Sequence, residues 1–322
     1  MKRYLLILPI IILLIIFSSS ILSLEIGDYF LKNDKLDRAK TFYQISQRMQ
    51  FFGKGLDQRL LAIEVAQNER SAKTEMTENS APNLPEVLTQ NTLGVNLTIP
   101  ILMYHYIRVN PNHKDKIGFS LSVTPSDFAK QMDYLREHGF NAISLDELYL
   151  TLLGKQNLPK RPIIITFDDG YADLYQNAYP ILQDHNFKAV SFVITGLVGA
   201  PNYLTWEQIV QMSSQNIISF QSHTITHSAL TSLDNISIAK ELRDSKNVLQ
   251  RYTAQTVNWL AYPFGSFNQR VANLASQAGY IGALSTYNGL IQNTNRIFTI
   301  PRVRINGGED LASFASKLPW KD

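Results

Sequence analysis

From residue 99 onward the chain alternates short apolar runs with amphipathic stretches, and this alternation limits the folds open to it more than any other feature. The runs fall at 101–107, 140–143, 163–167, 189–194, 217–220, 257–261, 281–284 and 298–303. Between most of them lie helix patterns with start signals: Thr124 followed by Pro125, Ser144 with Glu147, Thr205 with Gln208, and a long amphipathic stretch over 233–252. Strand and helix repeated seven or eight times predict a parallel α/β barrel, distorted or incompletely closed, rather than an open doubly wound sheet. His105, Asp168, Asp169, His223, Tyr262 and Arg302 all fall at or just past C-terminal ends of runs, where barrel active sites are built. The sequence contains no glycine-rich phosphate loop, so no nucleotide site is expected.

The rest of the 322-residue chain is less regular. Lys2 and Arg3 precede a nearly unbroken apolar stretch, and residues 1–24 read as a single-pass membrane anchor with the basic end inside. Residues 18–20 offer only a poor cleavage site, and cleavage there would make the protein secreted instead. Residues 25–70 carry two stretches of helical periodicity around the break at Gly53 and Gly55, a hairpin or spacer; residues 71–97, polar and with Pro82 and Pro85, read as a flexible linker. Residues 98–322 then form the large domain. A net charge of +3 gives no reason to expect nucleic acid. The absence of cysteine excludes disulfides and thiol chemistry and suits a protein outside the membrane.

Two stretches concentrate the chemistry. The β-branched run at 163–165 delivers adjacent carboxylates, Asp168 and Asp169, to a turn at Gly170. Neighbouring acids at the end of a buried strand repel, so they call for a metal, a shared proton, or both; alone, the trio would be an ordinary solvated turn. The second stretch repeats the layout, an apolar run followed by His223 and His227. Histidines four apart can face one cation, and with one carboxylate they make a ligand triad that leaves positions open for water and substrate.

These stretches, with Tyr262-Pro263-Phe264-Gly265, resemble the polysaccharide deacetylase family that shares the NodB homology domain, also called carbohydrate esterase family 4. Thr-Phe-Asp-Asp-Gly stands at 166–170, and His-Ser/Thr-x-x-His stands at 223–227. Further features around His105, Trp206 and Arg302 look like the branch that includes poly-N-acetylglucosamine deacetylases. The resemblance implies an enzyme that hydrolyses N-acetyl groups of an N-acetylglucosamine-containing polysaccharide. It implies a divalent metal on Asp169, His223 and His227, zinc first, with cobalt or nickel as alternatives. Asp168 would be the base, and the backbone N–H of Tyr262 would help stabilise the oxyanion.

Two departures from the family pattern stand out. The third motif lacks its arginine, reading Trp259-Leu260-Ala261 before Tyr262, and no histidine follows His227 to act as the late proton donor. His105 is the substitute acid; Arg302 could replace the arginine, form a structural salt bridge, or join Trp206, Pro263 and Phe264 in contacting substrate. His113, His138 and His185 read as solvated surface residues, and Tyr171 as a local loop contact. A binding-only descendant of the fold and an assembly scaffold built on residues 25–70 remain as alternatives.

Overall fold

The computed structural model describes residues 95–112 and 114–320. The expected anchor at 1–24, the segment at 25–70, most of the linker and His113 lie outside the described residues. Among the described residues no helix is long and apolar enough to cross a membrane.

Seven parallel strands close into a ring: β1 (Ile101–Tyr104), β2 (Pro162–Phe167), β3 (Ala189–Val193), β4 (Ile218–Ser222), β5 (Trp259–Ala261), β6 (Gly282–Asn288) and β7 (Ile300–Arg304). Neighbours in sequence are neighbours in the sheet, and Val303 of β7 pairs with Leu102 of β1 to complete the circle. The expected run at 140–143 is not an eighth ring member. It yields only Asn141–Ala142, which pairs with the start of β2, before β3 takes the same edge higher up at Thr166 and Phe167. The β4–β5 seam is thin, with the single register pair Ser222–Leu260, so the barrel is distorted as the sequence predicted. Leu97, at the end of the expected linker, pairs with Gln292.

Alternation sorts the strand residues into two layers. Ile101, Ile164, Val190, Phe192, Trp259, Ala261, Leu284 and Ile300 form one buried group inside the ring, and Ile143, Leu145 and Leu148 stop its lower end. Leu102, Ile163, Ile165, Phe167, Val193, Phe220 and Leu260 face outward under the helices. Those helices are α1 (Pro125–Glu137), α2 (Leu145–Leu152), α3 (Tyr179–His185), α4 (Trp206–Ser214), α5 (Asn235–Thr253), α6 (Gln269–Gln277) and α7 (Leu311–Ser316). Their starts follow the sequence signals: Thr124 caps α1, and Ser144–Glu147 and Thr205–Gln208 close reciprocal capping boxes on α2 and α4. His185 is not solvated: its Nδ1 bonds the Ile181 carbonyl at 2.7 Å and its Nε2 lies 3.0 Å from Asp133.

The inward register sets where chemistry can occur. Two residues past Ile101 and Ile164 come Met103 and Thr166, and two more bring His105 and Asp168 to the barrel mouth; Ile300 leads likewise to Arg302. Because the inner layer is tightly filled, small residues within it are constrained. A Cβ on Gly282 would lie 2.5 Å from the Trp259 ring and 2.8 Å from the Ile297 carbonyl. Gly282→Ala is expected to destabilise the domain by about 1–3 kcal/mol, read as a lower urea midpoint with an unchanged slope.

Candidate active site

The site grows from the end of β2. Asp168 is 3% exposed and its carboxylate is clasped by Arg302, with Nη1 donating to Oδ1 and Nη2 to Oδ2, both at 2.7 Å. Arg302 is itself fully buried and locked from several sides. Its Nε donates to the Ser285 carbonyl at 3.0 Å and its Nη1 to Thr166 Oγ1 at 3.1 Å, while that hydroxyl donates to the Leu102 carbonyl at 2.7 Å. The pairing of β6 with β7 shifts register between Leu284 and Asn288, and this bulge lies at the strand segment that offers Ser285 to the guanidinium. Burial alone would raise the Asp168 carboxyl, but the paired guanidinium outweighs it and holds the group well below the usual carboxylate range. Arg302 therefore holds and orients Asp168 from β7, outside the third motif. It is not a substrate contact, because every face of it is enclosed.

Asp169 adopts φ 75° and Gly170 φ 79°, and these two left-handed residues turn the second carboxylate away from the first. Gly170 also needs the space, since a Cβ there would press on Val193 at 3.2 Å. Asp169 Oδ1 lies 3.3 Å from His223 Nε2 and 3.4 Å from His227 Nε2, and ligand atoms of all three residues fall within 4.8 Å of one another. His223 is 2% exposed, and its Nδ1–H donates to the Ala261 carbonyl at 2.7 Å. That bond leaves Nε2 to face the carboxylate, and a neutral ring would present a lone pair there. Burial would lower the His223 imidazole, but Asp169 prevails and raises it; burial, then the charge of His223, lowers His227. One proton satisfies only one ring. A divalent cation would satisfy both rings and the carboxylate, so the donor set fits a metal such as zinc.

His105 lies on the inward register above Met103. Its Nδ1 is buried with no hydrogen-bond partner; burial lowers its basicity while the charges of Asp168 and Asp169 oppose that effect. The ring is thus close enough to both acids to respond to them. Phe264 is 68% exposed and its ring centroid sits 4.5 Å from that of His227, an open aromatic face beside the ligand set. Its φ is 58°, and the following Gly265 lies directly against Thr286, where any Cβ would clash with the hydroxyl. Pro263 is buried and shapes this turn rather than offering a face.

One expectation is corrected here. The Tyr262 N–H is not a free oxyanion donor: it donates to the Leu284 carbonyl at 3.0 Å as part of the barrel ladder. Trp206 is half-buried, with one face of its ring stacked on Tyr252 at 4.0 Å, a contact that packs α4 against α5. What the sequence reading missed is an aromatic wall. Tyr106 and Tyr171 stack at 3.8 Å, Tyr203 adjoins at 5.0 Å, and Arg108 covers the far face of Tyr106 at 3.6 Å. Burial, assisted by the Asp169 charge, pushes the Tyr171 hydroxyl far up, which places this wall at the site. The one local signal was the position of Tyr106 and Tyr171 directly after His105 and Gly170.

Comparisons with known proteins point the same way. A family model described as polysaccharide deacetylase matches residues 155–283. YxkH of Bacillus subtilis (strain 168), named as a polysaccharide deacetylase, is 33% identical over 220 residues, spanning 68% of this chain and 76% of that protein. A poly-beta-1,6-N-acetyl-D-glucosamine N-deacetylase of Staphylococcus aureus (strain MSSA476) is 29% identical over 199 residues, 58% of this chain and 68% of its own. Among solved structures, the Streptococcus pyogenes deacetylase PplD in complex with acetate matches with a TM-score of 0.65 and 30% identity, over 70% of this chain and 100% of that one.

The buried clasp has a direct consequence for stability. Because the folded Asp168 carboxyl is depressed, its contribution is complete above the unfolded value of about 3.9 and is lost as pH falls through the folded one. Arg302→Met removes the cation and leaves the carboxylate buried, so it is expected to cost roughly 3–5 kcal/mol near neutral pH. Burial then raises the Asp168 carboxyl, and the variant should regain stability relative to wild type as pH is lowered. Urea unfolding across pH measures this; equal loss at every pH would contradict it.

Proposed function

The chain belongs to the polysaccharide deacetylase family, and from that membership we propose that it removes N-acetyl groups from an N-acetylglucosamine-containing polysaccharide by metal-dependent hydrolysis outside the membrane. The observation that carries this reading is the paired arrangement at the end of β2. Asp168 is held ionised by Arg302, and beside it Asp169, His223 and His227 converge on one point. A binding-only site would have no use for a clasped base next to its ligands. The missing third-motif arginine favoured a binding module, but Asp168 is held and oriented by Arg302 from β7.

Asp169, His223 and His227 would hold the metal, zinc by donor chemistry, with cobalt or nickel as alternatives. Such an ion supplies Lewis acidity toward the acetyl carbonyl and toward water. Asp168, kept ionised and oriented by two guanidinium bonds, takes the proton of the attacking water. The amine nitrogen needs a proton as its bond to the acetyl carbon breaks, leaving acetate and a free amine; His105, on the inward register above Met103, delivers it by passing on the proton taken from water, since burial lowers its own basicity. The exposed Phe264 ring beside His227 offers an apolar face for a sugar ring, and the stacked tyrosines at 106, 171 and 203 border the site. The Staphylococcus aureus relative, whose name specifies a poly-beta-1,6-N-acetyl-D-glucosamine chain, favours that polymer over peptidoglycan or chitin-like chains. Residues 1–24, basic then apolar, would tether the enzyme where such polymers lie.

The test is acetate release from N-acetylglucosamine oligomers by the full-length chain, stripped of metal and then restored with zinc. Zinc should restore release, and Asp168→Asn should bind zinc yet lose on the order of 100- to 10,000-fold in rate. His105→Asn should lower the rate while leaving zinc affinity unchanged. A zinc-loaded wild-type protein that binds oligomers but frees no acetate would sink the proposal.

A further inference from the structure

The loop that joins the two histidines has an unusual task. After β4 delivers His223, the chain must fold back within four residues so that the His227 ring meets the same point. It does so with Thr224 at φ 67° and His227 at φ 61°, left-handed values that a β-branched and a bulky residue both disfavour. A loop in that state persists only where its surroundings over-determine it.

The support comes from α5. Glu241, 9% exposed, turns its carboxylate into the loop: Oε2 accepts from the backbone N–H of Ile225 at 2.8 Å and of Thr226 at 2.9 Å, and Oε1 accepts from Thr226 Oγ1 at 2.8 Å. One turn further along α5, Ser245 bonds Ser222 at 2.7 Å, and Ser222 Oγ accepts from the Thr224 N–H at 3.1 Å. Two of the three backbone donors between the histidines thus end on a single side chain that no metal-site motif contains. Without it both N–H groups would be left partly buried and unpaired, and the turn would relax toward ordinary dihedral angles.

We propose that Glu241 is the positioning residue of this metal site, setting where His227 stands relative to His223 and Asp169; the inference rests on the metal-site reading above. The function lies in reach and acceptor geometry rather than in charge. Glutamine keeps both, since its amide oxygen can accept the two N–H groups and its NH2 can donate to Thr226 Oγ1. Aspartate keeps the charge but is one methylene too short.

Zinc affinity of the full-length chain, measured by competition with a chromophoric chelator, separates these cases. Glu241→Gln should bind zinc close to wild type, whereas Glu241→Asp and Glu241→Ala should bind roughly 10- to 100-fold more weakly. The visible absorption of the cobalt-loaded protein should change in the same two variants and not in Glu241→Gln. If Glu241→Ala does not fold, the aspartate and glutamine variants decide: the opposite order, or equal affinity in both, overturns the proposal. His227→Ala is the control for the metal-site reading. Zinc binding unaffected by that change sinks the site and this inference together, while wild-type binding that survives Glu241→Ala sinks this inference alone.

Discussion

The buried pair of Arg302 and Asp168 is the interaction on which the rest of the site depends. Placing two acids in succession at the mouth of a filled barrel is unfavourable on two counts, desolvation and mutual repulsion. The guanidinium removes both objections for the first acid, because it neutralises the carboxylate and occupies both its oxygens. The second acid is then free to turn toward the histidines. Neither partner of the pair could be buried alone, and this makes β2 and β7 interdependent although 134 residues separate the two side chains in sequence.

The barrel explains how such distant residues meet. Ring closure sets β1 between β7 and β2, and Thr166 links both neighbours by donating to Leu102 and accepting from Arg302. Beyond the strand ends the chain leaves regular geometry. Asp169, Thr224, His227 and Phe264, all non-glycine residues with positive φ, lie in the motifs of the site. Strain of this kind survives where neighbouring bonds over-determine the backbone. The capped helices and filled interior supply that rigidity.

Much of this was legible from local pattern. The barrel class, the caps of α1, α2 and α4, and the convergence of Asp169, His223 and His227 follow from signals contained in short windows of sequence. The errors share one cause, which is that a side chain's type does not say which surface it meets. Tyr262 has an N–H suited to an oxyanion, yet the Leu284 carbonyl takes it. Residues 141–142 are extended, as expected, but the edge they pair with is claimed by β3 three residues further along β2, from Thr166.

By itself, then, the sequence determined what could be decided over one strand, one turn or one helix: the periodicity that makes a barrel, and the adjacency of the acids and the spacing of the histidines that make a ligand set. Only the tertiary structure decided which groups from remote strands and helices would complete that set. Arg302 reaches Asp168 because the ring closes through β1, Glu241 reaches the histidine loop because α5 packs beneath it, and the tyrosines at 106, 171 and 203 become a wall because three loops share one rim. The reason is physical. Local propensities act through a few bonds, whereas burial of a charge or of a polar backbone group is settled by whatever partner the whole fold brings within hydrogen-bond reach.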